Sequence, residues 1–309
     1  MKYGFGVDLG GTTVKIAYFN ETGKMLSKWE IPTVTDNGGA QILPDIAASI
    51  AAFRKEHQIS DTDLLGVGIG VPGAVSKGVV NRCVNLGWGV VPIEEELSRL
   101  TGLPAKASND ANVAALGEYW MGGGQGSENV VFITLGTGVG GGIIIGGQLY
   151  TGCNGIAGEL GHIVIRQNGE PCNCGRKGCL EAYCSAASFV RFAERALDTG
   201  RKSVLAVHKG QLNAKMICDA VDADDTLAKE LFDEYCVNLA NGLASFINLF
   251  QPEYIVLGGG LAGYGEKLLE PLRRLTLPQT FHGEDKDTEI VIASLGNDAG
   301  LIGAAMLQS

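Results

Sequence analysis

The 309-residue sequence predicts an α/β protein of two related halves, on three observations. Apolar strand patterns alternate with helical ones along the whole chain. The length exceeds what a single core usually fills, and 45% of the residues are hydrophobic, enough to bury two. A strand running into a glycine-rich turn and out into a second strand occurs near the start and again near the middle.

The elements are read in chain order from periodicity and turn residues. Lys2–Gly10, Val14–Phe19 and Met25–Ile31 read as strands that open the chain antiparallel. A helix follows over about Ala40–Glu56, then a strand at Leu64–Gly70, a helix at Ile93–Leu100, a strand at Ala105–Ser108 and a helix at Ala111–Trp120. The Gly122–Gly126 cluster reads as a linker or hinge. Beyond it come a strand at Val130–Leu135, a glycine-rich turn at Gly136–Gly142 and helices near Ser185–Leu197 and Asp225–Leu249. A strand at Tyr254–Leu257 and helices near Gly265–Arg274 and Asp298–Leu307 complete the pattern.

The repeat pairs Phe5-Gly-Val-Asp8-Leu-Gly-Gly-Thr12 with Phe132-Ile-Thr-Leu-Gly136-Thr-Gly138. Two such halves would set two backbone cradles on either side of one cleft. This points to a duplicated two-domain ATPase fold, actin-like (ribonuclease H-like), closing on a nucleotide. The expected division is a smaller N-terminal domain over 1–120, rejoined by the helix of about 298–309, and a larger domain over 121–297.

Composition narrows the function. A net charge of −10 argues against nucleic acid, whose phosphates are held mainly by Lys and Arg, but not against a nucleotide held locally by backbone N–H groups and a cation. No apolar run reaches the ~20 residues of a membrane span, and no signal peptide is recognisable, so a soluble cytoplasmic enzyme with no membrane partner is expected. Eight cysteines in a chain of this length suit a metal site better than a disulfide scaffold.

Two glycine runs mimic a dinucleotide fingerprint. Gly136-Thr-Gly-Val-Gly-Gly141 and Gly68-Ile-Gly-Val-Pro-Gly73 both match G-x-G-x-x-G after a strand, yet neither opens a helix. Without that helix N-terminus the pyrophosphate has no seat. No Walker A sequence is present either. Asp8-Leu-Gly-Gly-Thr12 is either a tight hairpin or a strand-end carboxylate beside bare amides, suited to Mg²⁺ and phosphate. The second loop at Gly136–Gly138 favours phosphate.

His162, Cys172, Cys174 and Cys179 stand at spacings suited to a tetrahedral Cys3His zinc site. Four protein ligands leave no open position, so the metal is expected to be structural. Cys83, Cys153, Cys184, Cys218 and Cys236 read as packing residues. Asp110, between a strand and a helix, is either an N-cap or a general base. Glu159, His162 and Glu181 bracket the cysteines and are either solvated loop residues or acceptors for sugar hydroxyls.

Taken in order, Asp8-Leu-Gly-Gly-Thr12, Gly70-Val-Pro-Gly73, Asn109-Asp110, Leu135-Gly-Thr-Gly138, Gly158-Glu-Leu-Gly-His162, Cys172-Asn-Cys-Gly-Arg-Lys-Gly-Cys179-Leu-Glu181 and Leu257-Gly-Gly-Gly260 resemble the ROK family of sugar kinases and sugar-responsive repressors. The resemblance spans nearly the whole chain. It implies an ATP-dependent hexose kinase with Mg²⁺ accompanying ATP and Asp110 as base. It implies Gly73, Asn85, Asn109, Glu159, His162 and Glu181 around the sugar. Nucleotide contacts are implied for Asp8, Gly10, Gly11, Thr12, Thr13, Lys15, Gly136, Thr137 and Gly138, with Gly258, Gly259 and Gly260 near the adenosine. Asn85-Leu-Gly-Trp88 and Gly155-Ile-Ala-Gly-Glu159 are most similar to the family's glucokinases; kinases of N-acetylmannosamine, N-acetylglucosamine and fructose share the other motifs. Repressor members carry a DNA-binding module ahead of the first loop, for which the seven residues before Asp8 leave no room, so a non-catalytic regulator is disfavoured. Homodimers are usual among relatives.

Overall fold

The computed structural model describes residues 3–281 and 287–308. The chain falls into two compact units: Met1–Gly126 with Gly142–Gly158 and Leu295–Ser309, and Ser127–Gly141 with Glu159–Ser294.

The strands before Gly126 are β1 (Tyr3–Leu9), β2 (Thr13–Asn20), β3 (Met25–Pro32), β4 (Leu64–Val71), the short hairpin β5 (Val75–Ser76) and β6 (Val79–Val80), and β7 (Ala105–Asn109). The main sheet is ordered β3-β2-β1-β4-β7, with β1, β4 and β7 parallel. Parallel strands are covered on both faces and so read as near-continuous apolar runs. Val67, Ile69 and Val71 of β4 are accordingly fully buried. Phe5, Ile16, Ile46 and Ile50 pack in the same core, each side chain worth about 1.5–3 kcal/mol when removed from water.

The helix Ala299–Met306 lies directly on this sheet because glycines let it. A Cβ on Gly6 would stand 2.1 Å from Leu301 O, and one on Gly68 1.7 Å from Ala304 O. The same helix crosses the helix Asp110–Met121 through Gly303 and Gly117. These glycines therefore serve close backbone packing. The Gly122–Gly124 segment is a capped helix end. Gly122 N and Gly124 N both donate to Glu118 O at 3.0 Å, and Gly123 N donates to Glu118 Oε2 at 2.8 Å. The other oxygen of this fully buried carboxylate accepts from Leu295 N at 2.8 Å.

The second sheet contains β8 (Val130–Leu135), β9 (Val139–Ile145), β10 (Gln148–Leu149), β11 (Tyr254–Gly258) and β12 (Glu289–Ile292), ordered β10-β9-β8-β11-β12. Setting aside the β5–β6 hairpin, each sheet counts its own strands 3-2-1-4-5. The strand–turn–strand repeat is thus the first part of a whole duplicated sheet. The glycine turn after β8 is shorter than the sequence suggests, since β9 begins at Val139. In the second unit side-chain caps set three helix starts: Ser185 for Ala186–Asp198, Asn213 for Ala214–Asp222 and Asp225 for Thr226–Phe250. The helix Ala214–Asp222 is not apparent from the sequence pattern. Among the described residues no helix is long and apolar enough to cross a membrane.

Candidate active site

Ligands of open α/β sheets gather beyond the carboxyl ends of parallel strands. In the first unit those ends deliver Asp8 from β1, Gly73 just beyond β4, and Asn109 at the close of β7 with Asp110 after it. Burial raises the Asp8 carboxyl above the usual range, opposed by Lys15, whose Nζ lies 3.8 Å away. A carboxylate that loses solvation on burial gains most from a second cation. The turn after β1 is held by Gly10 N donating to Thr13 O at 3.0 Å and by Thr33, whose hydroxyl donates to Gly10 O at 2.7 Å. Gly11 and Thr12 remain exposed, and nothing lies within 4 Å of where a Gly11 Cβ would be. That turn is pinned at Gly10 and at Thr12 O, which accepts from Thr33 N at 2.9 Å, and has an open face.

The cap of the helix Asp110–Met121 is Asn109, one residue before the position the sequence suggests. Asn109 Oδ1 accepts from Ala111 N at 2.9 Å, and its amide reaches Gly73 O at 3.3 Å. Asp110 is the first helical residue, exposed, with Oδ1 accepting from Ala111 N at 2.8 Å. Asn85 sits exposed on the 3-10 turn Val84–Leu86. Two buried residues fasten that turn. Trp88 Nε1 donates to Gly39 O at 3.1 Å, and Cys83 Sγ donates to Pro72 O at 3.1 Å, next to Gly73. Burial pushes the Cys83 thiol up and the charge of Asp110 adds to it, and a Cβ on Gly73 would stand 3.4 Å from the Cys83 Cβ. Gly73, Asn85, Asn109 and Asp110 thus form one neighbourhood. Cys83, read as a packing residue, is its staple; no spacing in the sequence signals a bond that needs the folded turn.

The second unit repeats the arrangement at β8 and β11. Gly136 N donates to Gly138 O at 3.0 Å, closing a turn that leaves Thr137 exposed. β11 ends in Gly258–Gly260. Gly259 has φ +85, and a Cβ there would meet Leu135 backbone at 2.6 Å, so only glycine lets this turn settle beside the first.

The ligand atoms of His162, Cys172, Cys174 and Cys179 all lie within 4.8 Å of one another. Cys172 Sγ is 3.6 Å from His162 Nδ1, and Cys174 Sγ 3.7 Å from Cys179 Sγ. Zinc–ligand bonds of about 2.0–2.3 Å on a tetrahedron set neighbouring ligands about 3.3–3.8 Å apart, so the four residues fit the ion nearly as they stand. Burial pushes the Cys179 thiol up to about 12 and raises Cys172, whereas a hydrogen bond from the Arg176 backbone lowers Cys174. A metal must displace those protons. His162 Nε2 points away from the cysteines, 3.9 Å from Glu159 Oε2. Glu181 lies beside the cluster, Oε1 3.7 Å from Cys172 Sγ.

Residues 4–309 match the model of the ROK family. The glucokinase of Halalkalibacterium halodurans is 43% identical over 312 residues, covering 98% of this chain and 93% of its own. The glucokinase of Thermotoga maritima is 38% identical over 309 residues, covering 98% of this chain and 96% of its own. A solved ROK family glucokinase from Streptomyces griseus, in complex with glucose and AMPPNP, superposes with a TM-score of 0.79 at 37% identity, over 99% of this chain and 98% of that one.

Proposed function

Since the chain belongs to the ROK family, we propose that it is an ATP-dependent hexose kinase that converts glucose to glucose 6-phosphate. The observation that carries the reading is the β7 terminus, where Asn109 takes the capping duty and reaches Gly73 O, and Asp110 follows it as an exposed carboxylate. Asp110 accepts the proton of the 6-hydroxyl as its oxygen attacks the γ-phosphorus, and ADP leaves. A positioned general base contributes ~10²–10⁴-fold in rate.

The turns Gly10–Thr12 and Gly136–Gly138 hold the phosphates through the amides of Gly11, Thr12, Thr137 and Gly138, while the Gly10 and Gly136 amides close the turns themselves; Thr13 and Lys15 stand beside the first turn and Gly258–Gly260 lie against the adenosine. Asp8, short of solvation, is the group to hold Mg²⁺ through water; bound there, the ion neutralises charge on the phosphates. Asn85, Asn109, Glu159, His162 and Glu181 orient the sugar hydroxyls. His162, Cys172, Cys174 and Cys179 hold a structural zinc through Nδ1 and three thiolates, which fixes the segment carrying Glu159 and Glu181. ATP as donor and reduced zinc thiolates both suit a cytoplasmic enzyme. Family resemblance supports a homodimer.

Specificity is tested by kcat/KM for glucose, N-acetylglucosamine, N-acetylmannosamine, mannose and fructose at fixed ATP. Glucose is expected to lead. An N-acetylhexosamine preferred by tenfold or more would replace glucose as the substrate while leaving the hexose-kinase reading in place.

A further inference from the structure

Glu181 makes a second connection that the metal and the sugar do not require. Its Oε2 accepts the backbone N–H of Val139 at 2.9 Å, on the residue that closes the Gly136–Gly138 turn. Gly138 leaves room for this: a Cβ there would stand 2.5 Å from the same oxygen. Two further links tie this turn to the segment carrying the metal ligands and its continuation. Ala186 N donates to Gly136 O at 2.8 Å, and a Cβ on Gly161 would lie 2.1 Å from Val139 O. The turn is therefore clasped at both ends, with a carboxylate as the clasp at its exit.

We propose that Glu181 is a positioning residue for the nucleotide, holding the Gly136–Gly138 turn in its phosphate-binding shape through the Val139 amide. The inference rests on the reading of that turn as a phosphate cradle. A carboxylate that served only the sugar would leave nucleotide binding in the absence of sugar untouched. A charge-assisted hydrogen bond is among the stronger polar contacts in a protein, so its loss is felt by whatever the turn binds.

The test is calorimetric titration of Mg²⁺-AMPPNP into the full-length, zinc-loaded protein without sugar, with hydrogen exchange read at the Val139 amide. Glu181→Ala is expected to weaken AMPPNP binding about tenfold or more and to speed Val139 exchange. Glu181→Gln keeps a carbonyl acceptor for the Val139 amide but loses the charge, so its AMPPNP affinity and Val139 exchange are expected to fall between those of the parent and of Glu181→Ala, a partial rescue that follows the acceptor. Gly138→Ala pushes on the carboxylate from the other side and is expected to weaken AMPPNP binding as well. Unchanged AMPPNP affinity and Val139 exchange in Glu181→Ala, beside a parent protein that binds, would overturn the inference. A parent protein that does not bind AMPPNP would instead remove the phosphate-cradle reading itself.

Discussion

Gly303→Ala adds one methyl group at the crossing of the helices Ala299–Met306 and Asp110–Met121. That Cβ would stand 1.7 Å from Val113 O and 2.7 Å from Gly117 N, both backbone atoms with no rotamer to turn away. Ordinary contact begins near 3.4 Å, so one helix must back off by about 1.7 Å in a close-packed interior. Overpacking of this kind costs about 1–3 kcal/mol, and a clash between two backbones belongs at the upper end. Alanine recovers about 1 kcal/mol in helix propensity, leaving a net loss of ~2 kcal/mol. For a unit of this size that is a fall in Tm of about 4–8 °C. Asp110 starts the displaced helix, so turnover should fall with it. Differential scanning calorimetry and steady-state kinetics on purified Gly303→Ala read both effects. An unchanged or raised Tm would show that the crossing is looser than these distances require.

Gly11→Ala is the counterpart: with open space around the position, Tm should stay within about 1 °C while Mg²⁺-AMPPNP affinity drops, and a loss of stability would contradict the open turn. Cys174→Ser removes one of four metal ligands, so zinc content by mass spectrometry should fall well below one per chain and glucose affinity should fall about tenfold or more. Full zinc occupancy and parental glucose affinity in that variant would contradict the ligand assignment. Because the cysteines must lose their protons to bind metal, zinc affinity should fall as pH is lowered, most visibly in a chelator competition run between neutral and mildly acid pH.

What could be read in the sequence follows from the range of the interactions involved. The strand–turn–strand repeat, the central strands and the long helices are local patterns, and the zinc ligands declare themselves by spacing within one short loop. Features that depend on distant partners were hidden. Gly140–Gly142 reads as turn, yet it lies within β9, because Gly142 faces the helix Asp110–Met121 with a would-be Cβ 2.5 Å from the Ala115 methyl. Strand propensity gave way there to helix contact. Nothing local marks Gly6 and Gly68 as the places that admit the C-terminal helix, because Leu301, which Gly6 meets, lies 295 residues further along the chain (301 − 6). The shift of the cap from Asp110 to Asn109 turns on a single backbone dihedral, Asn109 ψ 150, which composition does not encode. Glu181 shows the same limit: its place beside the cysteines is local, and its bond to Val139 spans 42 residues.

Asp110→Asn bears most directly on the proposed chemistry, since it keeps the size of the side chain and the acceptor for Ala111 N while removing the base. The measurement is kcat for ATP-dependent glucose 6-phosphate formation, with glucose and Mg²⁺-AMPPNP affinities taken on the same preparation. The account predicts kcat lower by ~10²–10⁴-fold, about 3–5.5 kcal/mol of barrier, with both affinities within about threefold of the parent. A kcat near that of the parent, with binding intact, would contradict it.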